Sequence, residues 1–161
     1  MAHDVAFQLW TRIVCPRNPG VGAWAYLVRH TADGTESCGA GGVSYSTNNA
    51  LELLAIVKGL ESLEPSSNVE LMLASAYVGR GLRQFIKKWK ARNWRRREGK
   101  KWVYMKNVGL WQELDRLTTE HWMHDLFVNA HSKIPEITRC DKLADAALKQ
   151  YRQSLETDAP C

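Results

Sequence analysis

The sequence predicts a mixed α/β domain whose five-stranded sheet, antiparallel in its first three strands and parallel afterwards, is flanked by helices. Three observations predict it. The first 46 residues hold three extended segments separated by two turn signals, the pattern of successive antiparallel strands. From Asn48 the apolar spacing changes to that of a helix. Beyond it, short apolar segments alternate with helical ones, and strand–helix–strand connections favour parallel pairing.

The elements follow in order. VAFQLW at 5–10 is short and apolar and reads as a strand. RNPG at 17–20 is a turn signal, and VGAWAYLVRH at 21–30 is the second strand. TADGT at 31–35 centres a hairpin on Asp-Gly, and the Gly- and Ser-rich residues 36–46 return as the third strand. Leu53, Ile56, Val57, Leu60 and Leu63 form one helical stripe, closed by Pro65. VELML at 69–73 is a fourth strand. Residues 76–90 carry Tyr77, Leu82, Phe85, Ile86 and Trp89 at helical spacing. A helix over 108–121 presents Leu110, Trp111, Leu114 and Leu117, and 122–129 is the last strand. A final helix over 138–152 presents Cys140, Leu143, Ala144, Ala147 and Tyr151. One domain over 1–152 and a flexible tail over 153–161 are expected.

A chain of 161 residues, 45% apolar and 24% charged, suffices for one sizeable core. No run of about 18 apolar residues occurs, which argues against a transmembrane helix. The N-terminus lacks the basic, apolar and small-residue succession of a secretory signal, and a cytoplasmic protein is expected. Cys15, Cys38, Cys140 and Cys161 are widely spaced and form no CxxC pair, so they read as reduced thiols.

The charge is unevenly spread. Residues 87–101, KKWKARNWRRREGKK, hold nine Lys or Arg and one Glu, a local +8 within a net +5, which leaves the remainder at −3. A mildly acidic body therefore carries one basic protrusion, suited to polyanions. Trp89, Trp94 and Trp102 are interleaved with these charges, as on surfaces that track a sugar–phosphate backbone. Such a run is often only a solvated face, and Trp89 and Trp111 are expected in the core.

Five segments in the right order carry a resemblance. NPGVGAW at 18–24, STNNALELLA at 46–55, SAYV at 75–78, KNVGLWQELD at 106–115 and HSKIPEITRCDKLADAA at 131–147 resemble the type 1 ribonuclease H family, over about residues 5–150. The resemblance implies a ribonuclease H-like fold. It also implies cleavage of the RNA strand of RNA–DNA hybrids by two magnesium ions held on four carboxylates. Paired ions about 3.5–4 Å apart activate a water and stabilise the leaving oxygen, and they require hard oxygen ligands.

Carried onto this chain, the helix carboxylate is Glu52, the last-helix carboxylate is Asp141, and the histidine that assists proton transfer or product release is His131. The other two acid positions hold Arg12 and Ala74, and Ile13 and Val14 stand where the family has small residues. Asp4 lies eight residues before Arg12, about 26 Å along an extended strand, and Glu70 lies about 13 Å before Ala74. Neither reaches the vacated positions. A plainer reading makes Glu52 part of a capping box with Asn49, Asp141 a first-turn acid and His131 a surface histidine.

The resemblance also assigns nucleic-acid contacts to Asn18, Thr47, Asn48, Asn49 and Asn107, and to the protrusion through Lys87, Lys88, Lys90, Trp94, Arg95, Arg96, Arg97, Lys100 and Lys101. Turn and cap chemistry is the alternative role for the residues at the helix start. Ala76 stands where the family often has a Gln that touches RNA. The expected function is binding of RNA–DNA hybrid or other duplex without catalysis, a pseudoenzyme. Association with a replication or reverse-transcription assembly is a further expectation. Two alternatives are an active hybrid-cleaving endonuclease using Mg or Mn, and a protein-interaction domain that reuses the fold. No high-affinity metal or other cofactor is expected under the first reading. Arg12 is expected to form a salt bridge with Glu52, Asp141 or both, in place of metal ions.

Overall fold

The computed structural model describes residues 4–127 and 133–157. β1 (Phe7–Val14), β2 (Gly20–His30) and β3 (Glu36–Ser46) form an antiparallel meander. β4 (Asn68–Leu73) pairs in parallel with β1, and β7 (Trp122–Phe127) pairs in parallel with β4. The resulting five-stranded sheet has the order β3-β2-β1-β4-β7. This is the mixed sheet the sequence predicts.

Helices cover both faces. α1 (Asn48–Glu61) packs on β1, β2 and α4 (Val108–Glu120), and α5 (Pro135–Thr157) crosses β1, β2 and β3. Strand alternation divides the apolar residues between the two layers. Leu9 joins Leu53, Ile56, Leu71 and Leu114 in the larger core, whereas its neighbour Trp10 joins Leu27, Ile137 and Cys140 in the smaller one. Burial pushes the Cys140 thiol up to about 12, so it stays protonated.

Four boundaries differ from the sequence reading. β1 runs on to Val14, so Arg12 lies inside the strand, opposite Ala25, and Asp4 lies before it. Residues 76–90 are helical as read, but a π-helical turn (Gly81–Phe85) separates α2 (Ala76–Arg80) from α3 (Ile86–Ala91). At its start Gly81 makes room for the Trp111 ring, which a Cβ there would meet and which packs edge-on against Trp89 at 4.9 Å. The basic segment contains a hairpin, β5 (Arg95–Glu98) with β6 (Lys101–Tyr104), that apolar periodicity does not reveal. Its two-residue turn places Gly99 first, at φ 62°, the glycine position of a type II′ hairpin. Finally, α5 starts at Pro135, a residue suited to a first helical turn, and continues to Thr157, beyond the expected domain end.

An ionic clamp fastens α5 to the sheet. Arg29 on β2 reaches Glu36 on β3 at 3.1 Å and Glu136 in the first turn of α5 at 2.8 Å. Arg139, one turn further on, returns to Glu36 at 2.8 Å. The Arg29 guanidinium also lies 5.0 Å from the centre of the Trp10 ring. Hydrogen bonds from Arg139 and then Arg29 hold the Glu36 carboxyl down to about 2. Arg29 likewise holds Glu136 below its ordinary value.

A folded-state value below the unfolded one means that the ionised carboxylate favours folding. This contribution is complete above the ordinary value of 4.5 and is lost as pH falls towards 2. The urea midpoint should therefore decline across that window, and Glu36→Gln should flatten the decline. A Glu36→Gln profile parallel to that of the unaltered protein would show that the clamp contributes nothing.

Candidate nucleic-acid interface and active-site cleft

β1 and β4 are parallel neighbours, so their C-terminal ends open at the same edge of the sheet, beside α1. Side-chain parity decides what Arg12 can meet. Two residues beyond Trp10, it shares the face of the sheet that α5 covers. Its Nε donates to Asp141 Oδ1 at 2.6 Å, with the two side chains 28% and 43% exposed. The expected salt bridge is present, and it is made to Asp141.

Glu52, on α1, lies across the sheet from α5 and makes a different contact. Ser75 Oγ donates to Glu52 Oε2 at 2.5 Å and accepts from the Val78 amide at 3.3 Å, capping α2. One hydroxyl thus uses its donor on the carboxylate and its acceptor on the helix. Thr11, Arg12, Ile13, Glu52, Ile56, Leu73, Ala74 and Ser75 line a cavity of about 40 Å³ between these elements. Arg12 and Glu52 both border this cavity, but the Arg12 side chain turns to the opposite face of the sheet and does not bond Glu52. Among the described residues, no three Asp, Glu, His or Cys side chains come together as a metal-binding group.

The plainer readings of the two acids do not hold. Thr47, not Asn49, is the N-cap of α1, and its Oγ1 accepts from the Ala50 amide at 3.2 Å. Glu52 lies beyond the first turn, so it takes no part in a capping box. The first-turn acid of α5 is Glu136, and Asp141 follows in the second turn. Glu70 accepts from Gln8 Nε2 at 3.0 Å, and neither it nor Asp4 lines the cleft. His131 lies outside the described residues.

A second concavity, polar and open, is lined by Asn18, Thr47, Asn48, Asn49, Lys106 and Asn107. It joins the turn before β2, the start of α1 and the start of α4, three segments distant in sequence. Asn18 Oδ1 accepts from the Asn48 amide at 3.1 Å, so Asn18 and Thr47 shape the turn and the cap as well as the surface. The side chains of Asn48 and Asn49 are exposed and make no hydrogen bond among the described residues. Asn107 adopts a left-handed φ of 60° and donates to Tyr77 Oη at 3.2 Å, a hydroxyl that also accepts from Trp111 Nε1 at 3.0 Å. Lys106 is the lining residue that sequence reasoning misses; its position beside Asn107 is the available signal.

The basic segment consists of α3 followed by the hairpin. Lys87, Lys88, Lys90, Arg95, Arg96, Arg97, Lys100 and Lys101 are all exposed. Lys90 pairs with Asp115 at 3.1 Å and Arg96 with Glu98 at 3.2 Å, so two of these cations are partly engaged. Trp94 is less accessible than the cations around it. Left-handed φ values at Asn93 and Trp94 accompany a reversal of the chain, and the Trp94 side chain packs on the larger core, half-buried. The exposed rings are Trp102, at 54%, and Tyr104, at 59%.

Comparison with known proteins agrees with this architecture. The family described as RNase H matches residues 6–149. The chain is 42% identical over 144 residues to a ribonuclease H of Rhodopirellula baltica, covering 89% of this chain and 91% of that protein. A ribonuclease H of Thiobacillus denitrificans is 37% identical over 153 residues, covering 95% and 99%. Among solved structures, LC9-RNase H1, a type 1 RNase H with the type 2 active-site motif, superposes with a TM-score of 0.77 at 19% identity, over 89% of this chain and 72% of that one. LC11-RNase H1, solved in complex with an RNA/DNA hybrid, gives 0.67 at 15% identity, over 90% and 98%. A family match across almost the whole described fold, with relatives of this identity and coverage, leaves one conclusion: the chain belongs to the ribonuclease H family.

Proposed function

We propose that this chain binds RNA–DNA hybrid, or another nucleic-acid duplex, without cleaving it. The observation that carries the proposal is the 2.6 Å ion pair between Arg12 and Asp141. Two-metal hydrolysis needs several carboxylates free to hold two divalent ions close together. Here Asp141 is bound to a guanidinium, Glu52 is bound to Ser75, and Ala74 offers no ligand. These donors do not fit a pair of magnesium or manganese ions, and the Arg12 cation opposes both. The polar concavity around Asn48 and Asn49 and the basic segment retain the means to grip phosphates and 2′-hydroxyls.

A second reading, an active hybrid-cleaving enzyme, is favoured by relatives that are ribonucleases H at 42% and 37% identity and by the survival of Glu52 and Asp141. A cleavage assay on a labelled hybrid with Mg²⁺ or Mn²⁺ decides between them. No cleavage is expected from the unaltered protein. Cleavage that persists through further purification and disappears in Glu52→Gln would establish the enzyme.

The ion pair also has a testable converse. Arg12→Asp combined with Ala74→Asp should create a cleft with four acids and bring measurable Mg²⁺ binding by calorimetry. A folded double variant without Mg²⁺ binding would show that the cleft has changed in more than these two side chains.

Docking through the basic segment should be strongly salt-dependent. Removing one phosphate-neutralising cation lowers the log–log salt slope by about one unit. Arg95→Ala with Arg96→Ala and Arg97→Ala should flatten the slope for a hybrid and weaken binding across sequences. An unchanged slope would place the docking surface elsewhere.

A further inference from the structure

We propose that one face of the β5–β6 hairpin also binds unpaired nucleotides, as a platform on which the bases of a single strand stack. The proposal starts from register. Arg95 pairs across the hairpin with Tyr104, and Arg97 pairs with Trp102. Residues two apart on a strand, and directly opposed residues, share a face. The four side chains therefore form one surface of two rings and two guanidinium groups. Val103, half-buried, belongs to the opposite face, which marks the Arg–aromatic face as the outer one. Tyr104 and Trp102 are more than half exposed.

Their arrangement is specific to bases rather than to phosphates alone. A surface that only follows a duplex backbone needs cations, and it gains nothing from exposing two aromatic rings. The Arg95 guanidinium lies over one face of the Tyr104 ring, 5.0 Å from its centre, so charge and π-surface are held together. A nucleotide arriving here finds a ring for its base and a guanidinium for its phosphate. The charge of the segment selects a polyanion over an apolar peptide.

Spacing separates single strands from duplexes. Trp102 and Tyr104 are two residues apart along β6, about 7 Å. Successive bases stacked in a duplex strand are about 3.4 Å apart, and each base face is covered by its neighbour. Two adjacent bases can occupy the two rings only when the strand is unstacked and extended. Aromatic stacking of this kind does not depend on base identity, because every base has a π-face.

This site does not rest on hybrid binding, and one experiment tests the two separately. Fluorescence anisotropy of the full chain is measured with a labelled oligodeoxythymidylate and with a blunt RNA–DNA hybrid. Trp102→Ala combined with Tyr104→Ala should weaken oligodeoxythymidylate binding about tenfold or more, with a far smaller change for the blunt hybrid. Trp102→Phe, which keeps a ring, should retain most of the single-strand affinity and lose part of the tryptophan quenching that accompanies it. No binding of the single strand by the unaltered protein would overturn the proposal. So would equal losses for both probes in the double variant, or single-strand binding unaffected by it. Single-strand binding that follows the rings while the blunt hybrid is not bound would support the platform and refute the duplex-binding reading.

Discussion

An arginine on the central region of the sheet reaches across to the last helix, and much of the cleft follows from that one reach. Strand parity sends the Arg12 side chain to the α5 side, where Asp141 stands in the second turn. The pair is partly exposed, so its net contribution to stability is modest: desolvation and side-chain ordering offset much of the attraction. On the proposed reading its importance is that it occupies Asp141 Oδ1 at 2.6 Å, so that a cation would have to compete with the guanidinium for that oxygen. The Arg29–Glu36–Arg139–Glu136 clamp serves the same geometry, because it fixes the start of the helix that carries Asp141.

The two charged regions of the molecule are built on different principles. In the cleft and the clamp, opposite charges are matched and held by regular secondary structure. In the basic segment, like charges accumulate on a short helix and a hairpin at the surface, where water and ions screen their repulsion. Of the eight exposed cations named there, Lys90 and Arg96 have acidic partners among the described residues, so most of the local charge remains available. Trp89 and Trp94 root this segment on the core, while Trp102 and Tyr104 face outward. Aromatic rings thus anchor the segment at one end and furnish its surface at the other.

Most of the sheet was legible because hairpin signals and helical stripes are local. The Asp33-Gly34 turn separates β2 from β3, and the stripe from Leu53 to Leu60 is buried as its spacing requires. The segment at 95–104 was harder. Arg95, Arg96 and Arg97 give no alternation of apolar and polar residues, and the hairpin is marked only by Gly99 and the β-forming run Trp102–Val103–Tyr104. The π-helical turn at Gly81–Phe85 leaves no mark in the apolar spacing, and the need for glycine at 81 is tertiary: Trp111, on a different helix, occupies the space that a side chain there would need. In the cleft, motif order located Arg12, Glu52, Ala74 and Asp141, but the choice of Asp141 over Glu52 depended on which face of the sheet each helix covers. Ser75, the residue that holds Glu52, lies in the SAYV segment, but nothing in the sequence pairs it with that acid.

On the proposed reading, an arginine at position 12 bears on more than metal binding. A cleft with four ionised acids repels the phosphodiester backbone until divalent ions neutralise it, so in such a cleft substrate approach and catalysis depend on the same ions. With Arg12 present, Glu52 and Asp141 are the acids that remain of the four, and one of the two is already paired. The electrostatic obstacle to a phosphate is correspondingly smaller without any metal. On the proposed reading, loss of cleavage and metal-free docking are then consequences of the same side chain. The basic segment supplies the attraction, and the cleft no longer has to be neutralised from outside before a duplex can settle over it.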